Sequence, residues 1–249
     1  MANRQNIINH LDDLLCVGQF TDYCPNGLQV EGRNSIGHII SGVTASRALI
    51  EAAIEQQADA LLVHHGYFWK GESPCITGLK RERITRLLEN NINLLAYHLP
   101  LDAHPELGNN AQLAKKLGLQ VEGTTGDTGL IWYGTLAAPC SAAELAARID
   151  IALARTPLYI EGNEEPISRV AWCTGAAQGY IEQAAALGVQ AFISGEISEP
   201  TVHVARELGI NYFSAGHHAT ERYGVQALGE HLAEVFGIGH LFVDIDNPV

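Results

Sequence analysis

Short apolar runs alternate along the chain with stretches of helical period, and the alternation repeats. Ile39 to Gly66 reads IISGVTASRALIEAAIEQQADALLVHHG, and Val170 to Ile197 reads VAWCTGAAQGYIEQAAALGVQAFISGEI; the two align without gaps at an offset of 131. Each is an apolar strand, a turn of small residues, a helix and a second apolar strand, which is a β-α-β unit. The segments after the two copies also match: NINLLAYHLPLDAH at 91–104 and GINYFSAGHHATE at 209–221 both take an Ile-Asn step into a strand that runs out at histidine.

The pattern predicts an α/β fold of two similar β-α-β-containing halves, an internal duplication around a shared cleft. Such folds collect ligands beyond the carboxyl ends of their strands. Gly108–Leu119 has the spacing of a helix between the halves. From 125 to 165, a strand near Leu130, a helix through SAAELAARIDIAL and a strand at PLYIEG predict a small inserted α+β segment. The expected division is 1–124, 125–165 and 166–249. The first segment, MANRQNIINHLDDLL, reads as an amphipathic helix rather than a secretion signal.

Candidate chemistry falls at the predicted strand ends. In LLVHHGYFWKGE (61–72), His64 and His65 close an apolar strand before a glycine, a junction that can project both imidazoles toward neighbouring metals. In a regular strand the two would face opposite sides. A lone His-His pair is as readily a core or rim feature. The reading changes because the other strand ends carry His98 four residues before Asp102 and His217 four residues before Glu221. Imidazole with carboxylate and no nearby Cys pair suits zinc, iron or manganese. Five or six such ligands exceed what one catalytic ion keeps and fit a pair of ions, with Glu221 as the bridge.

Asp102 and Glu221 also fit as first-turn helix acids. His98 and His218 fit either as ligands or as partners that orient one; His104 is open in the same way. Tyr67, Phe68 and Trp69, with Lys70 next, fit a base-stacking platform beside a phosphate-binding lysine. A subunit contact is the other reading of the aromatics. Gly42-Val43-Thr44 and Thr174-Gly175 lie in strand-to-helix turns but form no nucleotide fingerprint.

Composition narrows the setting. A net charge of −13 disfavours nucleic acid and anionic lipid as partners. Five cysteines without a C-x-x-C pair suggest a reducing compartment, and no apolar run approaches the roughly 20 residues of a membrane span. A cytoplasmic protein is the expectation.

The motifs LLVHHGYFWKGE, HLPLDAHPELGNN, FISGEIS and SAGHHATER, within a likeness running from TDYCPNGLQVEG to FVDIDNPV, resemble the dinuclear metal-centre family labelled GTP cyclohydrolase 1 type 2 homologues. The resemblance implies a two-part α/β protomer, two divalent ions per protomer and a homohexameric ring. By motif it places the ligands at His64, His65, Asp102, His217 and Glu221, with His98 a lesser candidate. It further implies metal-dependent hydrolysis of a purine nucleotide, the ring opening of GTP, in a pocket that Tyr67, Trp69, Lys70 or Arg222 would reach. The competing expectation is a non-catalytic metal carrier or ring-shaped interaction protein.

Overall fold

A computed structural model describes residues 1–126 and 128–249. In chain order, the first part holds β1 (Ala2–Asn3), α1 (Arg4–Leu14), β2 (Gly27–Val30), β3 (Ser35–Ile36), β4 (His38–Thr44), α2 (Arg47–Glu55), β5 (Ala60–His65), α3 (Gly78–Glu89), β6 (Asn93–Ala96) and α4 (Leu99–Ala103). Next come α5 (Asn109–Leu117), β7 (Leu119–Thr125), β8 (Ile131–Cys140), α6 (Ala142–Leu153), β9 (Leu158–Ile160) and β10 (Ile167–Cys173). The chain continues through α7 (Ile181–Ala185), β11 (Ala191–Ser194), α8 (Glu199–Leu208), β12 (Asn211–Ser214), α9 (His217–Phe236) and β13 (Gly239–Phe242). It divides into two compact units: Met1–Gly108 with Gly224–Asp246, and Asn109–Tyr223 with Asn247–Val249. Among the described residues no helix is long and apolar enough to cross a membrane.

The first unit is built on a sheet of order β13-β4-β5-β6-β2, parallel except for β2. Its strands are apolar on both faces, as a parallel sheet covered by helices requires. Ile39, Ala60, Leu62 and Leu95 pack with α1 and the later turns of α9 through Ile7, Leu11, Val225, Leu228 and Leu232. The alternate positions Ile40, Leu61, Val63 and Leu94 pack with α2 and α3 through Leu49, Ile50, Ala53 and Leu87. Ser46 caps α2 by accepting from the Leu49 N–H, an arrangement worth about 1 kcal/mol.

The second unit has order β7-β8-β10-β11-β12-β9. Its three central strands are parallel and repeat β4-β5-β6 in register. Ile39 pairs with Ala60 and Val170 with Ala191, the same offset of 131 on both strands. Asn93 and Asn211 then start the third strand opposite Ala60 and Ala191. These asparagines do the same work. Asn93 donates to the Asp59 carbonyl and accepts from the Gly32 N–H; Asn211 donates to the Gln190 carbonyl and accepts from the Gly162 N–H. Both are fully buried. Gly32 and Gly162 are required because a Cβ on either would overlap the backbone just before the asparagine.

The expected inserted segment does not stand apart. Apart from Asp127, which lies outside the described residues, its elements join the second sheet and core: β8 pairs antiparallel with β10, and β9 pairs antiparallel with β12. Leu145, Ile149 and Leu153 of α6 pack with Val170 and Trp172. The physical reason is edge protection, since β10 and β12 would otherwise expose unpaired backbone on both sides of the parallel core. The other end of the chain also differs from the expected division. Gly224–Asp246 belongs to the first unit, where β13 adds a parallel strand to β4.

Candidate metal centre

In the first unit, β5 ends at His64 and His65, with ring centroids 4.5 Å apart. Both lie at the open end of the strand: β6 stops at Ala96, opposite Val63, while β4 still pairs with His65 through Thr44. Gly66 follows because a Cβ there would overlap the Gln29 side chain, which accepts from the Tyr67 N–H. His64 is fully buried. Its Nδ1 lies 2.9 Å from the Tyr97 carbonyl, which can only accept, so Nδ1 carries the proton and Nε2 the lone pair. That Nε2 is 3.4 Å from Oδ1 of Asp102, buried in α4. His65 Nδ1 is 3.3 Å from the Thr44 hydroxyl.

His98, the residue before α4, brings a third imidazole to within 5.0 Å of the His64 ring and 5.7 Å of the His65 ring. One ring nitrogen from each of the three lies within 4.8 Å of the others. His98 Nδ1 is 2.7 Å from Asp22 Oδ1. Burial alone would raise the Asp22 carboxyl, but hydrogen bonds from His98, Asn26 and the Tyr23 backbone, with the His98 charge, hold it down at about 2. Cys24 stands beside this pair, its thiol pushed up to about 12, first by burial and then by the Asp22 charge.

In the second unit, α9 opens with His217 and places Glu221 one turn later. His217 Nε2 is 3.1 Å from Glu221 Oε2, and its Nδ1 is 2.6 Å from Glu196 Oε1. Burial alone would lower the His217 pKa; the hydrogen bonds and charges of Glu221 and Glu196 outweigh it and raise it to about 9. Glu221 is 2% exposed. Gly175 makes room for it: at φ +68° a Cβ would overlap the Glu221 carboxylate. The Gly175 N–H donates to the Thr220 hydroxyl, which ties the turn to α9.

The sequence-predicted residues therefore gather as His64, His65, His98 and Asp102 in one unit and His217 with Glu221 in the other. His218 is buried next to His217, with its backbone N–H donating to Val249. Trp69 stands edge-on to His98 at 5.0 Å, and Lys70 is exposed. Tyr67 differs from the expected stacking platform. It is 5% exposed and its hydroxyl donates to the Ala45 carbonyl at 2.7 Å, so its ring belongs to the core. Arg222 differs as well: Nη2 donates to the Leu153 carbonyl at 2.6 Å, a bond internal to its unit. His104 accepts from the Glu106 and Leu107 N–H groups through Nδ1, which gives it a local capping role.

Two residues went unnoticed in the sequence, Asp22 and Glu196. Glu196 carried a signal, because the offset of 131 sets it against His65. Asp22 carried only its place in TDYCPNGLQVEG, since it lies 76 residues from its partner in a segment without periodicity.

The donor set suits a divalent ion. Imidazoles whose Nδ1 atoms are held by acceptors present Nε2 toward buried carboxylates, the arrangement that metal-ligating histidines adopt.

The chain matches the model of the Duf34/NIF3 (NGG1p interacting factor 3) family over residues 2–248. It is 57% identical over 249 residues to a protein of Allochromatium vinosum named GTP cyclohydrolase 1 type 2 homolog, covering 100% of this chain and 98% of that one. A protein of the same name from Pseudomonas aeruginosa is 56% identical over 245 residues, with 97% of each chain covered. Among solved structures, the chain is similar to the protein ybgI, described as of unknown function, at a TM-score of 0.97 with 50% identity and full coverage of both chains. It is also similar to TTHA1606 from Thermus thermophilus at a TM-score of 0.92, 34% identity and full coverage of both.

Proposed function

Since the chain belongs to the Duf34/NIF3 family, we propose that it is a dinuclear divalent-metal protein and that its activity is metal-dependent hydrolysis of a purine nucleotide, the ring opening of GTP. The observation that carries the metal reading is the set of Nδ1 anchors: the Tyr97 carbonyl on His64, Asp22 on His98 and Glu196 on His217. Each commits one ring nitrogen and leaves Nε2 to a ligand. In this reading His64, His65, Asp102, His217 and Glu221 would be the ligands. The ions are zinc, iron or manganese, between which these donors do not choose. When bound, such ions supply Lewis acidity and bring the pKa of water toward neutrality. The hydrolytic assignment rests on the names of the relatives. Trp69, edge-on to His98, and exposed Lys70 are the side chains left to meet a base and its phosphates. A homohexameric ring in the cytoplasm completes the proposal, and light scattering tests the assembly.

A second reading is a non-catalytic metal carrier or interaction protein. The specific observation in its favour is the burial of Tyr67 and the anchoring of Arg222, which remove two of four expected substrate contacts.

The test is a metal count per protomer on protein purified without chelators, paired with GTP turnover after reloading with zinc, iron or manganese. Two ions and metal-dependent ring opening, lost in Asp102→Ala, is the expected result. Two ions without turnover favours the second reading. Substoichiometric metal in every preparation overturns the centre, and full occupancy of both ions in Glu221→Ala removes Glu221 from the ligand set.

A further inference from the structure

The Asp22 side chain is 3% exposed and accepts four hydrogen bonds: from the Tyr23 N–H at 2.6 Å, Asn26 Nδ2 at 2.9 Å, His98 Nδ1 at 2.7 Å and the Leu99 N–H at 3.0 Å. One of these, from the Leu99 N–H, staples the segment 22–26 to the start of α4. A second bond adds to the staple, because Asn26 Oδ1 accepts from the His98 N–H at 2.7 Å. The bond to the His98 ring is different in kind, since it does not hold backbone. An ionised carboxylate only accepts, so His98 Nδ1 must donate, whether the ring is neutral or charged. The neutral ring then keeps its lone pair on Nε2. One ring nitrogen of His98 lies within 4.8 Å of a ring nitrogen from each of His64 and His65, and with Nδ1 held by Asp22 the nitrogen left to bind an ion is Nε2. Trp69 meets the ring edge-on, with centroids 5.0 Å apart.

We propose that Asp22 is a positioning residue that fixes the orientation and tautomer of His98, making His98 a third metal-binding imidazole of the first unit beside His64 and His65. This rests on the metal reading above and extends it, because the carboxylate–imidazole pair raises the basicity of the ring as well as aiming it. Loss of such a partner lowers metal affinity by about ten- to a hundredfold.

The experiment is titration of the metal-free full chain with Co(II), followed through its visible absorption, on wild type, Asp22→Asn, His98→Gln and the double variant. Each single variant should weaken Co(II) binding about ten- to a hundredfold, and Asp22→Asn should add nothing in the His98→Gln background. The absorption bands should shift in both singles, reporting a changed donor set. A role confined to stapling would instead lower the melting temperature of metal-free Asp22→Asn while leaving affinity and spectrum unchanged, and that result overturns the proposal. So does an additive double variant. If Asp22→Asn does not fold, His98→Gln decides alone, because it leaves the carboxylate and its backbone bonds in place; unchanged Co(II) affinity there refutes the inference. Failure of wild type to bind Co(II) would instead sink the metal reading itself.

Discussion

Each unit has a three-strand parallel core in the same register, yet the strand ends carry different chemistry. The first unit sets three imidazoles, His64, His65 and His98, beside two carboxylates, Asp102 and Asp22, and holds the Nδ1 atoms of His64 and His98 with acceptors. The second sets a single imidazole, His217, between two carboxylates, Glu196 and Glu221. Equivalent positions explain the difference. At an offset of 131, Thr44 corresponds to Gly175, His64 to Gly195 and His65 to Glu196. The scaffold supplies a place to put donors, and the strand-end residues decide whether that place is rich in imidazole or in carboxylate. A fold-level likeness alone would have missed this.

The largest effect expected from mixing the two chemistries is at Gly175. Gly175→Thr installs the residue of the first unit at φ +68°, where a β-branched side chain is strained and its Cβ overlaps Glu221. A loss on the order of 3 kcal/mol in urea unfolding should result, together with loss of metal uptake. The reciprocal Thr44→Gly should cost about 1 kcal/mol, mostly through the flexibility it gives the unfolded chain. Equal costs at the two sites would break the comparison. Next in size are Asn93→Ala and Asn211→Ala. Each leaves a half-buried glycine N–H without its partner, while the Asp59 or Gln190 carbonyl keeps the backbone N–H of the substituted residue, so each should cost about 2 kcal/mol. The two should agree within about 1 kcal/mol if the asparagines are true counterparts; a neutral substitution at either would show that the shared register is not maintained by them.

Much of this frame was legible in the sequence. The strand–helix–strand copies, their offset and the histidines at the strand ends are local patterns, and local patterns survive without knowledge of the fold. What escaped depends on pairing between distant segments. The strands of 125–165 read as a separate insert because nothing local says that Ile131–Cys140 lies against β10 or that Leu158–Ile160 lies against β12. Asp22 meets His98 only through a loop with no period. Tyr67 misled for a related reason: an aromatic run after HHG has the composition of a stacking platform, but the Tyr67 hydroxyl has a core partner in Ala45, and only the fold reveals it.

The two units should also respond to pH with opposite sign. In metal-free protein His217 is raised to about 9 from an ordinary value near 6.5. The folded state therefore binds the proton more tightly. This stabilisation is complete below about pH 6.5 and is lost as pH rises through 9, on the order of 2 kcal/mol in all. In the first unit burial lowers His104, His231 and His240, with the neighbouring histidines adding to it. For these the unfolded chain binds protons more readily, so stability is lost as pH falls below about 6.5. Denaturation of metal-free protein at pH 5.5, 7 and 9.5 should find the maximum at the middle value. Glu196→Gln should flatten the alkaline limb and leave the acid limb alone. An unchanged alkaline limb would mean that Glu196 does not clamp His217.

The smallest effect tests where the substrate side of the centre lies. Tyr67→Phe removes one buried hydrogen bond, to the Ala45 carbonyl, and keeps the ring that packs in the core. A cost of about 1 kcal/mol is expected, with GTP turnover and its KM unchanged. Trp69→Phe, by contrast, alters the aromatic that stands edge-on to His98 and should raise KM if that face receives a base. Reversal of the two results, with turnover sensitive to Tyr67 and indifferent to Trp69, would require the Tyr67 hydroxyl to leave Ala45 in the working protein. It would also return the aromatic run to the role that its sequence suggests.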